Sequence, residues 1–133
     1  MKKPFLLLVI AMSLVLSACG AGNAPTTDLK VEFADFTFTP DVFVVPAGQE
    51  ITITAKNAGA VEHEFVIMKL GTTVGEDFGD EDEENIYWEV EAQPGETVTA
   101  TFVAPEAGEY QIVCGTEGHF MAGMVGSMTV VAP

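Results

Sequence analysis

The chain of 133 residues contains no arginine, and its only permanent cations are five lysines. Lys2 and Lys3 open the chain. From Cys19 onward, Lys30, Lys56 and Lys69 stand against twenty Asp and Glu, a formal balance of −17. Such a surface repels phosphate backbones, which excludes nucleic acid as a partner, and it favours basic partners at low ionic strength. Cysteine is nearly absent too: Cys19 and Cys114 are the only two. A framework of several disulfides is therefore excluded. One bridge between the two is formally possible unless Cys19 is acylated, and a lone thiol outside the reducing cytosol then needs a reason of its own. Histidine is limited to His63 and His119, so no chemistry that needs three or more imidazoles fits. Beyond residue 28 no segment has a capped apolar stripe of helical period, which removes the helical fold classes.

The first residues settle why the thiol matters. MKKPFLLLVIAMSLVLSACG has a short basic start, an apolar run from Phe5 to Leu16, and then small residues. That reads as a secretory signal, too short to span a membrane as a helix. Leu16-Ser17-Ala18-Cys19 resembles the lipobox of bacterial lipoproteins, in which the peptide is cut before a cysteine that is then acylated. The expected organisation is a lipoprotein signal peptide at 1–18, a lipid-anchored flexible tether at 19–28 and one domain at 29–133. The protein would then face the periplasm or cell surface, held to a bacterial membrane through Cys19, with Cys114 left as its only free thiol.

The domain is written in short runs of period two. In LKVEFADFTFTP, Val31 and Phe33 share a face, and Phe36 and Phe38 share one after a shift at Ala34-Asp35. DVFVV, EITITAKN, VEHEFVIMKL, IYWEVEA, ETVTATFVA, GEYQIVC and VGSMTVVAP follow, separated by Gly, Pro, Asn and acidic residues. Strands of this length and spacing, rich in Val, Ile, Thr and Phe, predict an all-β sandwich or barrel of about seven to eight strands. GEDFGDEDEE, residues 75–84, is expected to be a solvated acidic loop. It does not follow the EF-hand calcium spacing. Asp80, Glu81, Asp82, Glu83 and Glu84 are candidates for docking a cationic partner.

Cys114, His119 and Met124 lie at equal five-residue steps in CGTEGHFMAGM, between the last two strands. A loop of that size can fold its flanks around one point. Taken singly, Cys114 reads as an inert buried thiol and Met124 as core packing, and the other histidine, His63 in VEHEFVI, as an ordinary core or surface residue. Taken together, one thiolate, one thioether and two imidazoles suit copper, because soft sulfur ligands favour Cu(I) and imidazole accepts both oxidation states.

These segments resemble the cupredoxins, the small blue-copper family that includes plastocyanin, azurin and auracyanin. FTFTPDVFVVPAGQEITITAKNAG is similar to the family's first strands, VEHEFVI to its first-histidine strand, and GEYQIVCGTEGHFMAGMVGSMTV to its ligand loop and closing strand. The loop spacing C-x₄-H-x₄-M is the one associated with auracyanins. The resemblance implies a Greek-key β-sandwich with one type 1 copper held by His63, Cys114, His119 and an axial Met124. It also implies electron transfer through the edge of His119, with Phe120 and Met121 beside it as an apolar docking surface. One departure stands out. Many relatives carry Asn after the first histidine and Ser or Thr after the cysteine, and here those positions are Glu64 and Gly115.

The function implied is a membrane-tethered one-electron carrier, monomeric, working between cytochromes or membrane electron-transfer complexes of a respiratory or photosynthetic chain. The alternative is extracytoplasmic copper storage, delivery or resistance. An enzyme is not expected: four protein ligands leave no open position for substrate. A carboxylate ligand from Glu62 or Glu64 is not expected either, since both alternate away from His63.

Overall fold

The computed structural model describes residues 23–133. The signal peptide, the lipobox and Cys19 lie outside the described residues. Among those described, no helix is long and apolar enough to cross a membrane.

Among the described residues, nine strands form two sheets. β1 (Asp28–Ala34), β2 (Thr37–Thr39), β4 (Glu50–Asn57) and β7 (Thr97–Val103) make a four-stranded sheet in the order β2-β1-β4-β7. β3 (Val42–Pro46), β5 (His63–Met68), β6 (Ile86–Ala92), β8 (Gly108–Val113) and β9 (Val125–Val131) make a five-stranded sheet, β3-β9-β8-β5-β6. β1 runs parallel to β4 and β3 parallel to β9, while the other neighbours are antiparallel. Sheet-like bonding begins slightly before the boundary expected at Leu29. The Thr26 N–H donates to the Val44 carbonyl at 3.0 Å, and the Thr52 N–H to the Thr27 carbonyl at 2.8 Å.

Period two decides what each strand buries. In β4, Ile51, Ile53 and Ala55 point into the core while Thr52 and Thr54 do not; in β1, Leu29, Val31 and Phe33 point in. The centre is aromatic. Phe65 is stacked on Phe33 with ring centroids 6.3 Å apart, and Phe38 and Phe43 meet it edge-on at 5.3 and 5.5 Å. Full burial of each such ring contributes about 1.5–3 kcal/mol. His63, two residues before Phe65, shares its inward parity, and this brings an imidazole to the end of an apolar core.

Two sequence expectations change. The extra strand arises because the shift at Ala34-Asp35 is a reversal that separates β1 from β2, with Phe36 at φ +70°. Residues 75–84 are not all loop: Asp80–Glu83 closes one turn of helix, α1. That segment covers the outer face of the five-stranded sheet, where Val66, Met68, Val74 and Val113 pack with Phe78, Ile86 and Phe120. β5 is consequently buried on both faces, which explains its nearly unbroken apolar run after Glu64.

Candidate metal centre

Four candidate donors meet at one end of the sandwich. His63 opens β5, Cys114 follows β8, and the loop between β8 and β9 brings in His119 and Met124; all four are buried. The loop is folded by its own backbone. The His119 N–H donates to the Thr116 carbonyl, the Met124 N–H to the His119 carbonyl, and the Cys114 N–H to the Met124 carbonyl, at 3.0, 3.0 and 3.1 Å. Gly118 and Gly123 take φ of +77° and +100°, left-handed values that let nine residues double back where a side chain would strain them.

The donor atoms face one another. His63 Nδ1 lies 3.1 Å from His119 Nδ1, and Cys114 Sγ lies 3.9 Å from the first and 3.4 Å from the second. The centre of a triangle with those sides is about 2.0 Å from each corner. That is the usual length of a metal–imidazole bond and slightly less than the ~2.3 Å of a metal–thiolate bond. Two imidazole nitrogens and a thiol sulfur at this spacing, with Met124 buried on the same loop, fit copper.

Residues outside this set orient it. Asp35, in the β1–β2 reversal, places Oδ1 3.2 Å from His63 Nε2 and also accepts the Ala60 N–H at 3.0 Å. With Nε2–H donating to the carboxylate, His63 keeps the Nδ1 lone pair free for a metal. The Ala60 N–H first, and His63 second, hold the Asp35 carboxyl below the usual carboxylate range. Burial, reinforced by His63, lowers the pKa of His119, which favours the neutral ring that can ligate. Phe36 stands edge-on to His119 with centroids 5.2 Å apart. Asn57, fully buried at the end of β4, donates to the Val61 and Ala92 carbonyls and accepts the Gly59 N–H, each at 2.8 Å. Asp77 accepts the Gly118 N–H at 3.0 Å.

The link missing at Glu64 and Gly115 is supplied one residue away. The Thr116 hydroxyl donates to the Glu62 carbonyl at 3.2 Å, tying the ligand loop to the chain just before His63. Glu64 leans over Gly115 so closely that a Cβ there would be within 3.3 Å of Val66 and would strike the carboxylate. Glu62, Glu64 and Glu91 form a separate acidic cluster away from the donor triangle. Burial, then the neighbouring Glu89 and Glu62, raises the Glu64 carboxyl above its usual value.

The proposed docking residues are divided by the structure. Met121 is 70% exposed, and Phe36 and Val61 add further exposed apolar surface. Phe120 is half-buried against the outer cluster. Asp80, Glu81, Glu83 and Glu84 are exposed, and Asp80 and Glu83 line a depression with Gly115 and Glu117 beside the ligand loop. Asp82 is a correction. It is turned inward and 9% exposed, because its Oδ2 accepts the Gly79 N–H at 3.1 Å to start α1, which withdraws it from any docking surface.

A two-sheet sandwich with a His₂Cys triangle and a methionine at one end is the architecture of a cupredoxin. The model of the cupredoxin-like domain matches residues 6–130, and the chain belongs to that family. It is 29% identical to auracyanin-A of Chloroflexus aurantiacus over 143 residues, covering 86% of this chain and 88% of that protein. The copper-resistant cuproprotein CopI of Rubrivivax gelatinosus is 33% identical over 117 residues, covering 83% of this chain and 69% of that protein. Among solved structures, dithionite-reduced auracyanin from the photosynthetic bacterium Roseiflexus castenholzii superposes with a TM-score of 0.69 at 31% identity, covering 81% of this chain and 99% of that one. The donor set and the family together make one copper ion the cofactor.

Proposed function

We propose that the protein is a blue-copper electron carrier in which His63, Cys114, His119 and Met124 hold a type 1 copper. The observation behind this reading is the donor triangle, formed by three buried side chains. Copper bound there supplies one-electron exchange between Cu(I) and Cu(II). The protein's part is to keep both imidazoles and the thiolate in place for either state, so that little rearrangement opposes transfer. Burial excludes water, and with four protein ligands no coordination position is left for a substrate, which favours a carrier over an enzyme. Electrons would pass at the His119 end, where Met121 and Phe36 offer an apolar contact, while Asp80, Glu81, Glu83 and Glu84 steer a basic redox partner such as a cytochrome. Acylation at Cys19 would keep the carrier on the outer face of a bacterial membrane, as a monomer serving a respiratory or photosynthetic chain.

Similarity to CopI favours a second reading, copper handling. The two readings separate in one experiment on the copper-loaded chain. A carrier shows an intense blue thiolate-to-copper band that Cys114→Ser abolishes, a reversible one-electron potential, and oxidation of a cationic cytochrome that slows as salt rises. Absence of the band in the folded, copper-loaded chain overturns the blue-copper reading. Ready release of Cu(I) to a competing chelator, with sluggish electron exchange, moves the assignment to copper handling.

A further inference from the structure

The reversal between β1 and β2 provides no copper donor, yet two consecutive residues of it touch the two histidines. Asp35 Oδ1 is 3.2 Å from His63 Nε2, and the Phe36 ring stands edge-on to His119. Phe36 does this at φ +70°, a conformation that bulky side chains avoid and that persists only where the surroundings impose it. The same Asp35 oxygen also accepts the Ala60 N–H. Gly59 completes the arrangement: a Cβ there would strike Asp35 Oδ1 and come within 2.7 Å of His63 Nε2, so the chain passes directly over the contact.

We propose that Asp35 is a positioning residue of the copper site, fixing the tautomer and ring plane of His63 and setting the reduction potential through that hydrogen bond. This rests on the blue-copper reading. The physical reasoning is direct. An imidazole whose far N–H donates to a carboxylate is a stronger donor, and the nearby negative charge favours the more positive Cu(II) over Cu(I). Removing the carboxylate should therefore weaken Cu(II) binding more than Cu(I) binding and raise the potential. Partners of this kind are worth about 10- to 100-fold in metal affinity. A tenfold bias between the oxidation states corresponds to about 59 mV for one electron.

Asp35→Asn and Asp35→Ala separate charge from hydrogen bond. In Asp35→Asn the Ala60 N–H retains the side-chain oxygen opposite His63, so the wild-type visible and EPR spectra should survive while the potential rises. Asp35→Ala also frees the ring, so its potential should rise at least as far, with altered copper hyperfine coupling and about tenfold or greater loss of Cu(II) affinity. Glu62→Gln is the control. It deletes one charge from the residue before His63, whose side chain belongs to the separate acidic cluster. A shift in Glu62→Gln equal to that in Asp35→Asn would reduce Asp35 to one charge among many and overturn the proposal. Unchanged potentials and spectra in both Asp35 variants, whatever their melting temperatures, would overturn it too. A wild-type chain without a blue band instead refutes the underlying copper reading, so the two failures are distinguishable.

Discussion

The two sheets do different jobs at the copper end. Every candidate donor belongs to the five-stranded sheet or to its β8–β9 loop, while the four-stranded sheet supplies the residues that hold some of them still. Asp35 and Phe36, between β1 and β2, reach His63 and His119, and Asn57 at the end of β4 ties the chain before His63 to Ala92, the residue paired with His63 in the register of β5 and β6. The donors and these braces thus come from opposite layers and meet only once the sandwich closes, while Asp77, between β5 and β6, holds the ligand loop from the donor sheet's own side. Metal geometry and folding are coupled by that division: a fault in the sheet without donors should still be felt at the copper.

Asn57→Ala tests that division most severely. All three hydrogen bonds made by the side chain are spent inside the protein, and truncation takes that partner from the Val61 and Ala92 carbonyls and from the Gly59 N–H. Unsatisfied buried groups cost about 1–3 kcal/mol each, so a loss of about 2–4 kcal/mol is expected by chemical denaturation. The copper band should broaden or shift as well, although residue 57 lies six positions from any donor. An unperturbed band in a destabilised variant would show that the sheets act independently.

Thr116→Val is milder and works within the donor sheet. It removes the hydroxyl that joins the ligand loop to the Glu62 carbonyl, a part-buried bond worth about 1 kcal/mol. Its signature should be faster copper loss with little change in colour, because the donor triangle itself keeps its backbone bonds. A larger effect than that of Asn57→Ala would reverse the ranking of brace against loop.

The donors were legible in the sequence for the same reason that the braces were not. Cys114, His119 and Met124 lie within eleven residues, and the scarcity of histidine left His63 as the one candidate to complete the set. Strand parity then predicted that Glu62 and Glu64 face away from His63, and in β5 His63 is buried while Glu64 is only part-buried. The β-sandwich was equally readable from alternation, apart from the break at Asp35-Phe36, where a turn looked like a change of face. Asp35 and Asp77, in turns and loops, and Asn57, at a strand end, look ordinary until long-range pairing brings them 28, 41 and 35 positions along the chain to their partners. Absence of the Asn and Ser/Thr pair next to the ligands suggested a missing link. The structure has one at Thr116, bonded to a carbonyl, and a backbone acceptor leaves no trace in the side-chain pattern.

The smallest effect, and the one with a sign that pH can reverse, concerns Glu64. It stands directly opposite Glu91 in the register of β5 and β6, and burial, then Glu89 and Glu62, raises its carboxyl pKa above the usual carboxylate value. A folded-state pKa above the unfolded one means that the native chain binds more protons in that window, so stability is greatest below it and declines as pH rises through it. Glu64→Gln removes the charge while retaining the shape over Gly115. At neutral pH the copper-free variant should be the more stable by a few tenths of a kcal/mol, the scale of a partly solvated like-charge pair. The gain should fade as falling pH protonates the wild-type carboxyl, which happens at a higher pH than for an ordinary carboxylate, and should shrink in high salt. A variant less stable than wild type at neutral pH would mean that the carboxylate over Gly115 holds the two chain segments together more than its neighbours repel it. The acidic face would then also brace the site, and the contrast between donor sheet and bracing sheet would lose its sharpness.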